Sequence, residues 1–272
     1  MPTKKHKKTV AVIIPFYKDT LTNYEAIALE QCFKVLHAHP VIAIKPNHLI
    51  LPPEVNKYPF TEVIDFDNHY FANIAGYNEL MLSENFYGAF LEYKYMLIYQ
   101  LDAFVFKDEL KHWCDQGYDY IGAPWLKAYE HGDMIKTIKS NITYYFHIRY
   151  NIWKDGEPSK YQYENRIGNG GFSLRKIEKF YNACIKYKAT INEYLNKGTH
   201  HFNEDRFWSI EVNRKRRTLN IPGYHTGIKF SVEIVPERAF RLNNNLVPFG
   251  CHAWDKNVDF WRAIFKSYGY II

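Results

Sequence analysis

The 272-residue chain reads as an α/β protein with a mostly parallel central sheet flanked by helices. Three observations predict this. Short runs recur that are apolar nearly throughout, as strands buried on both faces are: Val10-Ala11-Val12-Ile13-Ile14, Val41-Ile42-Ala43-Ile44, Val63-Ile64-Asp65-Phe66 and Tyr95-Met96-Leu97-Ile98-Tyr99. Helical patterns separate these runs, and strand alternating with helix favours a parallel, doubly wound sheet. A carboxylate, Asp102, follows the last run, and open α/β sheets bind ligands outside the carboxyl ends of their strands.

The first strand ends at Pro15. Thr22 and Glu25 stand at capping-box spacing, which starts a helix near Asn23, and Leu29, Cys32, Phe33 and Leu36 give it one apolar face. Residues 68–93 read as mostly helical, and the next strand runs to Asp102. Beyond Asp108, a helix around Trp113-Cys114 and a short strand lead through Tyr118-Asp119-Tyr120-Ile121-Gly122-Ala123-Pro124-Trp125 into a proline turn. Residues 126–165 are aromatic, charged and irregular, as a lid or acceptor loop would be; a small helical insertion is the other reading. Phe172 to Leu174 reads as a strand, with a helix from Lys176. No repeat or low-complexity linker interrupts the pattern, which predicts one domain over residues 1–272 with 1–9 a flexible basic tail.

The net charge of +6 is concentrated in Lys4-Lys5-His6-Lys7-Lys8 and Arg214-Lys215-Arg216-Arg217, read as a solvated tail and an exposed helix end. Two short runs do not make a nucleic-acid protein, but they suit peripheral contact with an anionic membrane. Aromatic residues reach 18%, which fits a packed core and surfaces that stack on bases or sugars. Cys32, Cys114, Cys184 and Cys251 lie far apart with no CxxC pair, which argues against a zinc knuckle and a disulfide framework and for a reducing compartment. No stretch approaches membrane-span length, and Val10–Ile14 is too short for a signal core. The expected location is the cytoplasm, including the inner face of the membrane.

Four places carry candidate chemistry. Asp102 either meets a cation or donor at the sheet edge or caps a turn. Gly168-Asn169-Gly170-Gly171 permits close approach of backbone to a ligand, and a tight turn would look the same; it matches neither a Walker loop nor a dinucleotide fingerprint. Glu204 and Asp205 precede an apolar helix face, as a helix cap or as a catalytic base. His252, after Pro248-Phe249-Gly250-Cys251, is a structural histidine or a ligand for an Mn²⁺-like ion beside carboxylates.

In this order the four signals resemble a GT-A-type glycosyltransferase. More closely, Tyr99-Gln100-Leu101-Asp102-Ala103-Phe104-Val105-Phe106, the stretch from Tyr118 to Trp125, Gly168-Asn169-Gly170-Gly171-Phe172-Ser173-Leu174-Arg175, Glu204-Asp205-Arg206-Phe207-Trp208-Ser209 and Pro248-Phe249-Gly250-Cys251-His252-Ala253-Trp254 resemble the DUF5672 family from about Val10 to about Trp261. That family is glycosyltransferase-like and linked with bacterial surface polysaccharide. The resemblance implies a GT-A-like sheet, a nucleotide-sugar donor and a glycan or lipid-linked acceptor. It implies that Asp102 and His252 hold Mn²⁺ or Mg²⁺ against the donor diphosphate. Gln100, Gly170 and Gly171 would line the donor, with Pro15, Phe16 and Tyr17 at the edge of the nucleotide pocket. Asp205, with Glu204, would supply the base. Gln100 departs from the pattern by standing where the first Asp of a DxD motif often lies.

Two rivals differ in chemistry. A nucleotidyltransferase would carry a basic glycine-rich loop after the first strand, where this chain has Ile13-Ile14-Pro15-Phe16-Tyr17-Lys18. A catalytically silent carbohydrate- or nucleotide-binding protein on the same fold would bind without releasing a nucleoside diphosphate.

Overall fold

The computed structural model describes residues 7–129, 134–198 and 200–272, so residues 1–6 of the expected tail and 130–133 of the expected lid lie outside it. The chain runs through β1 (Lys8–Pro15), α1 (Asn23–Leu36), β2 (Val41–Pro46), β3 (Glu62–Phe66), α2 (Ile74–Met81), α3 (Glu84–Gly88) and β4 (Tyr93–Tyr99). It continues through β5 (Phe104–Val105), α4 (Leu110–Asp115), β6 (Tyr120–Gly122), β7 (Pro124–Trp125), α5 (Met134–Arg149), β8 (Trp153–Lys154), β9 (Glu157–Pro158), β10 (Arg166–Ile167) and β11 (Phe172–Lys176). The last part holds α6 (Ile177–Lys186), α7 (Lys188–Leu195), α8 (Glu204–Ser209), α9 (Tyr224–Phe230), β12 (Ser231–Val232), α10 (Pro236–Leu242), β13 (Gly250–Cys251) and α11 (Val258–Ser267).

The main sheet has the order β3-β2-β1-β4-β11-β6. Its first four strands are parallel, as the apolar runs predict. β11 departs from a wholly parallel sheet by running antiparallel to both β4 and β6. The pleat divides each central strand between two cores. Val10, Val12 and Ile14 of β1 pack on one face with Leu29, Cys32 and Phe33 of α1 and with Trp113 of α4. Ala11 and Ile13 pack on the other with Met81 of α2, Phe86 of α3, Phe180 of α6 and Trp208 of α8. A third apolar cluster joins Phe104 of β5 to Cys251 of β13 and to Trp261 and Phe265 of α11, around the small sheet β12-β13-β5.

Several expectations are corrected. β4 stops at Tyr99, and Asp102 sits in a turn closed by Ala103 N–H donating to Gln100 O at 2.9 Å. β1 begins at Lys8, inside the segment 1–9 expected to be a tail, and the Lys8 ammonium pairs with Glu92 at 2.9 Å. The helical stretch after Asn68 is broken into a 3₁₀ turn (Asn68–Phe71), α2 and α3, each new start marked by an Asn or Ser cap at Asn73 and Ser83. The segment 126–165 is not irregular: it contains α5 and the β8–β9 hairpin. Lys127 there lies 4.3 Å over the Tyr144 ring and 3.6 Å from Glu164. Arg214, expected on a solvated helix end, is half-buried instead; it donates to Gln162 Oε1 at 2.8 Å and to the Ile148 carbonyl, tying this insertion to the body.

All four cysteines are buried and free. No helix among the described residues is long and apolar enough to cross a membrane.

The capping box at α1 forms as its spacing predicts. Glu25 N–H donates to Thr22 Oγ1 at 3.2 Å, and Thr22 N–H donates to Glu25 Oε2 at 2.7 Å. Thr22→Ala removes one half of it and is expected to lower stability by about 1 kcal/mol in urea unfolding, with an unchanged m-value.

Candidate active site

The site is assembled where β4 ends. Gln100 N–H donates to the Gly171 carbonyl at 2.8 Å, so the glycine turn leads directly into β11 beside it. The C-terminal small sheet delivers the histidine. Cys251 of β13 pairs antiparallel with Phe104 of β5, and His252 therefore emerges beside the turn that carries Asp102. Ala253, next in line, holds a left-handed φ of 46°, a strained conformation for a residue with a side chain.

Three donors converge. His252 Nε2 lies 2.9 Å from Asp102 Oδ1 and 3.2 Å from Gln100 Oε1. A Cβ at Gly171 would overlap both His252 Nε2 and Gln100 Oε1, so this approach requires glycine there. On the far side of the ring, His252 Nδ1 lies 2.8 Å from Asn169 Nδ2 and 3.4 Å from Glu233 Oε1. Phe172 N–H donates to Asn169 Oδ1 and thereby turns the amide N–H toward the imidazole. A neutral ring accepts from Asn169, whereas a doubly protonated ring donates its Nδ1–H to Glu233. Burial pushes the His252 imidazole down, but Asp102 and Glu233 outweigh it and raise it to about 10. Burial likewise raises the Asp102 carboxyl, and the neighbouring His252 more than offsets this, leaving it below its ordinary value.

Glu204 and Asp205, expected to act together, are separated by their surroundings. Glu204 is only 4% exposed and accepts from Arg175 Nη2 at 2.9 Å. The Arg175 guanidinium is fully buried and also donates to Tyr87 Oη at 2.9 Å, to Gly170 O at 3.3 Å and, through Nε, to Ser173 Oγ at 3.0 Å. A Cβ at Gly170 would overlap Glu204 Oε1, so this pair also depends on a glycine. Glu204 is thus committed to a buried ion pair, which corrects the expectation that it shares a base role. Asp205 differs: its Oδ1 accepts from Arg206 N–H at 2.7 Å. Burial, then the charges of Glu204 and Glu233, push its carboxyl up to about 7 against the pull of Arg206. Arg206 in turn stacks 4.3 Å over Tyr163 of the insertion.

Pro15, Phe16 and Tyr17 line one cavity of about 250 Å³ together with Gln100 and Asp102. The Tyr17 ring packs on Phe71 and Tyr77 at 5.8 and 5.7 Å and keeps 43% of its surface exposed. Tyr17 Oη accepts from Gln100 Nε2 at 3.4 Å.

Sequence reasoning did not single out Glu233, Asn169 or Arg175. Asn169 and Arg175 belong to the glycine motif and carry its polar contacts, a signal that was available. Glu233 stands 19 residues before His252 with no pattern around it, and only the pairing of β12 with β13 brings it close.

Among the described residues no group of three or more His, Cys, Asp or Glu side chains is arranged to hold a metal ion. The donors that do converge are one imidazole, one carboxylate and one amide oxygen. This oxygen-rich set suits Mn²⁺ or Mg²⁺, and Glu233 behind the ring suits a carboxylate that orients a metal-binding histidine. Breaking the buried pair beneath the site tests its structural weight. Glu204→Gln leaves Arg175 charged and unpaired and is expected to lower stability by about 3–5 kcal/mol in denaturant unfolding.

Comparison of the chain with curated protein sequences finds no match. Among solved structures, the chain is similar to the galactosyltransferase LgtC in complex with donor and acceptor sugar analogues, at 14% identity and a TM-score of 0.48, covering 89% of this chain and 86% of that one. It is similar to core-mannan synthase A from Aspergillus fumigatus in its Mn/GDP form, at 13% identity and a TM-score of 0.43, covering 81% and 72%. It is also similar to the bifunctional glycosyltransferase WbbM, at 12% identity and a TM-score of 0.48, covering 91% of this chain and 46% of that one. The profile of one protein family, described as "Protein of unknown function (DUF5672)", matches residues 60–252. That match takes in the glycine turn, the acidic helix start and the histidine, spans more than two thirds of the chain, and the protein therefore belongs to the DUF5672 family.

Proposed function

We propose that the protein is a metal-dependent glycosyltransferase that moves a sugar from a nucleotide-sugar donor to a glycan or lipid-linked acceptor, in bacterial surface polysaccharide synthesis on the cytoplasmic side of the membrane. One observation carries the reading: His252 Nε2 lies within 3.2 Å of both Asp102 Oδ1 and Gln100 Oε1, beside the cavity lined by Pro15, Phe16 and Tyr17. Gln100, Asp102 and His252 would hold Mn²⁺ or Mg²⁺, with Glu233 fixing the ring from behind. A divalent ion bound there supplies positive charge where a departing nucleoside diphosphate gathers negative charge. The exposed face of Tyr17 is free to stack on a base. Gly170 and Gly171 leave room for the sugar beside the turn.

Asp205 is the proposed base. Its carboxyl is held near 7, so about half of it is ionised at neutral pH while its basicity still drives proton transfer. It would take the proton of the acceptor hydroxyl as that oxygen attacks the sugar's anomeric carbon, while the carbon–oxygen bond to the diphosphate breaks. The insertion, through Tyr163 on Arg206, stands next to this carboxylate and would carry acceptor contacts and exclude water.

Thermal shift with nucleoside diphosphates, with and without Mn²⁺, tests the binding half. A diphosphate at about 100 times its Kd is expected to stabilise the protein by about 2.7 kcal/mol. Asp102→Ala and His252→Ala should each abolish the Mn²⁺-dependent share of that shift while the proteins stay folded. Full Mn²⁺ dependence in both variants refutes the metal assignment, and nucleotide-sugar binding with no diphosphate release on any acceptor favours a silent binding protein.

The pH dependence tests the base. The active form of Asp205 is ionised, so the transfer rate is expected to fall about tenfold per unit as pH drops below about 7. Asp205→Asn should cost about two to four decades of rate and erase that limb, read by diphosphate release across pH 5–9 (roughly two units either side of neutrality).

A further inference from the structure

The sequence holds two basic runs, Lys4 to Lys8 and Arg214 to Arg217, that the proposed chemistry does not use. The fold brings their ends together. Lys7 pairs with Glu178 in the first turn of α6 at 3.0 Å, and Lys4-Lys5-His6 directly precede Lys7 in the chain. Lys176, Lys179, Lys186, Arg216 and Arg217 line one concavity of about 670 Å³ with a single lining carboxylate, Glu178. Lys179 and Lys186 lie seven residues apart and so project from one stripe of α6, whose opposite stripe (Ile177, Phe180, Cys184) is buried against the sheet.

This face starts at the end of the sheet remote from the site. Lys176 pairs in register with Tyr95, whereas Phe172, next to the glycine turn, pairs with Tyr99. The four steps between them span about 13 Å at 3.3 Å per residue. Lys8, at the start of β1, pairs with Tyr93 at the same end. Three acids reduce the charge locally: Glu178 lies 3.0 Å from Lys7, Asp119 lies 3.5 Å from Lys176, and Glu92 lies 2.9 Å from Lys8. Lys179, Lys186, Arg216 and Arg217 remain exposed to solvent.

We infer that this face is a docking surface for the phosphate headgroups of an anionic membrane. A small soluble polyanion would need only the concavity, whereas here exposed cations continue past it to Lys7, which reaches Glu178 at its rim. Clusters of about four to eight Lys or Arg bind acidic lipid surfaces by summed, salt-sensitive attraction. Docked this way, the remote end of the sheet meets the bilayer and the Asp102–His252 end stays open to water.

The experiment is co-sedimentation of the full chain with vesicles of phosphatidylcholine alone or with about a third phosphatidylglycerol. Binding is expected only to the anionic vesicles, and it should be lost on raising salt from about 0.1 M to about 0.5 M. The Lys179→Glu/Arg216→Glu variant, two exposed positions, is expected to lose roughly tenfold or more in vesicle affinity with an unchanged thermal melt. Equal binding to neutral and anionic vesicles overturns the inference, as does undiminished binding by the folded variant. A thermal shift with soluble tripolyphosphate but no vesicle binding overturns it in favour of a soluble anion.

Discussion

The buried ion pair between Arg175 and Glu204 is the constraint on which the rest of the site depends. Taking both charges out of water is costly, and the cost is met only because the guanidinium is saturated with acceptors from four directions. Those acceptors belong to separate parts of the chain: Tyr87 of α3, the Gly170 carbonyl, Ser173 of β11 and Glu204 at the start of α8. One side chain thus fixes the glycine turn against α8. The turn's next residue, Gly171, is where Gln100 and His252 close in. A shift in the pair would therefore be felt at the His252–Asp102 contact without any change in either residue.

The same pair explains why two adjacent carboxylates have different characters. Glu204 spends its charge on Arg175. Asp205 lies one residue further along α8, and burial first, then the field of Glu204 and Glu233, leaves it holding its proton more tightly. His252 shifts in the same direction, but there the two causes oppose each other. It stands between Asp102 and Glu233, so burial and charge act against each other on it and charge prevails. Negative field thus raises an acid and a base alike, and only the acid gains a value near neutrality.

Much of this was legible in the sequence where local chemistry decides it. The parallel strands follow from runs such as Val10–Ile14, and the start of α1 follows from Thr22 and Glu25. The convergence of Asp102 with His252, 150 residues later, was approached through motif order rather than spacing. What could not be read was long-range. The antiparallel direction of β11 depends on the glycine turn re-entering the sheet beside β4, which no run of apolar residues encodes. Glu233 owes its place to a two-residue pairing of β12 with β13. Arg214 looked like one cation among four, and only the fold of the insertion supplies Gln162 and Ile148 as its acceptors.

The reversal of β11 has a wider bearing. In a wholly parallel sheet every rim loop leaves from a strand end, and each must be followed by a long return across a face. Here the chain enters β11 at the same rim from which β1 and β4 leave, so the glycine turn arrives there as the last step of the excursion through 126–165. That excursion begins after β7 and is closed by β10, which pairs back onto β7. Its length is consequently decoupled from the positions of Gln100 and Asp102. A segment inserted in this way could be lengthened, shortened or rebuilt without disturbing β4 and β11, whose ends carry Gln100 and the glycine turn.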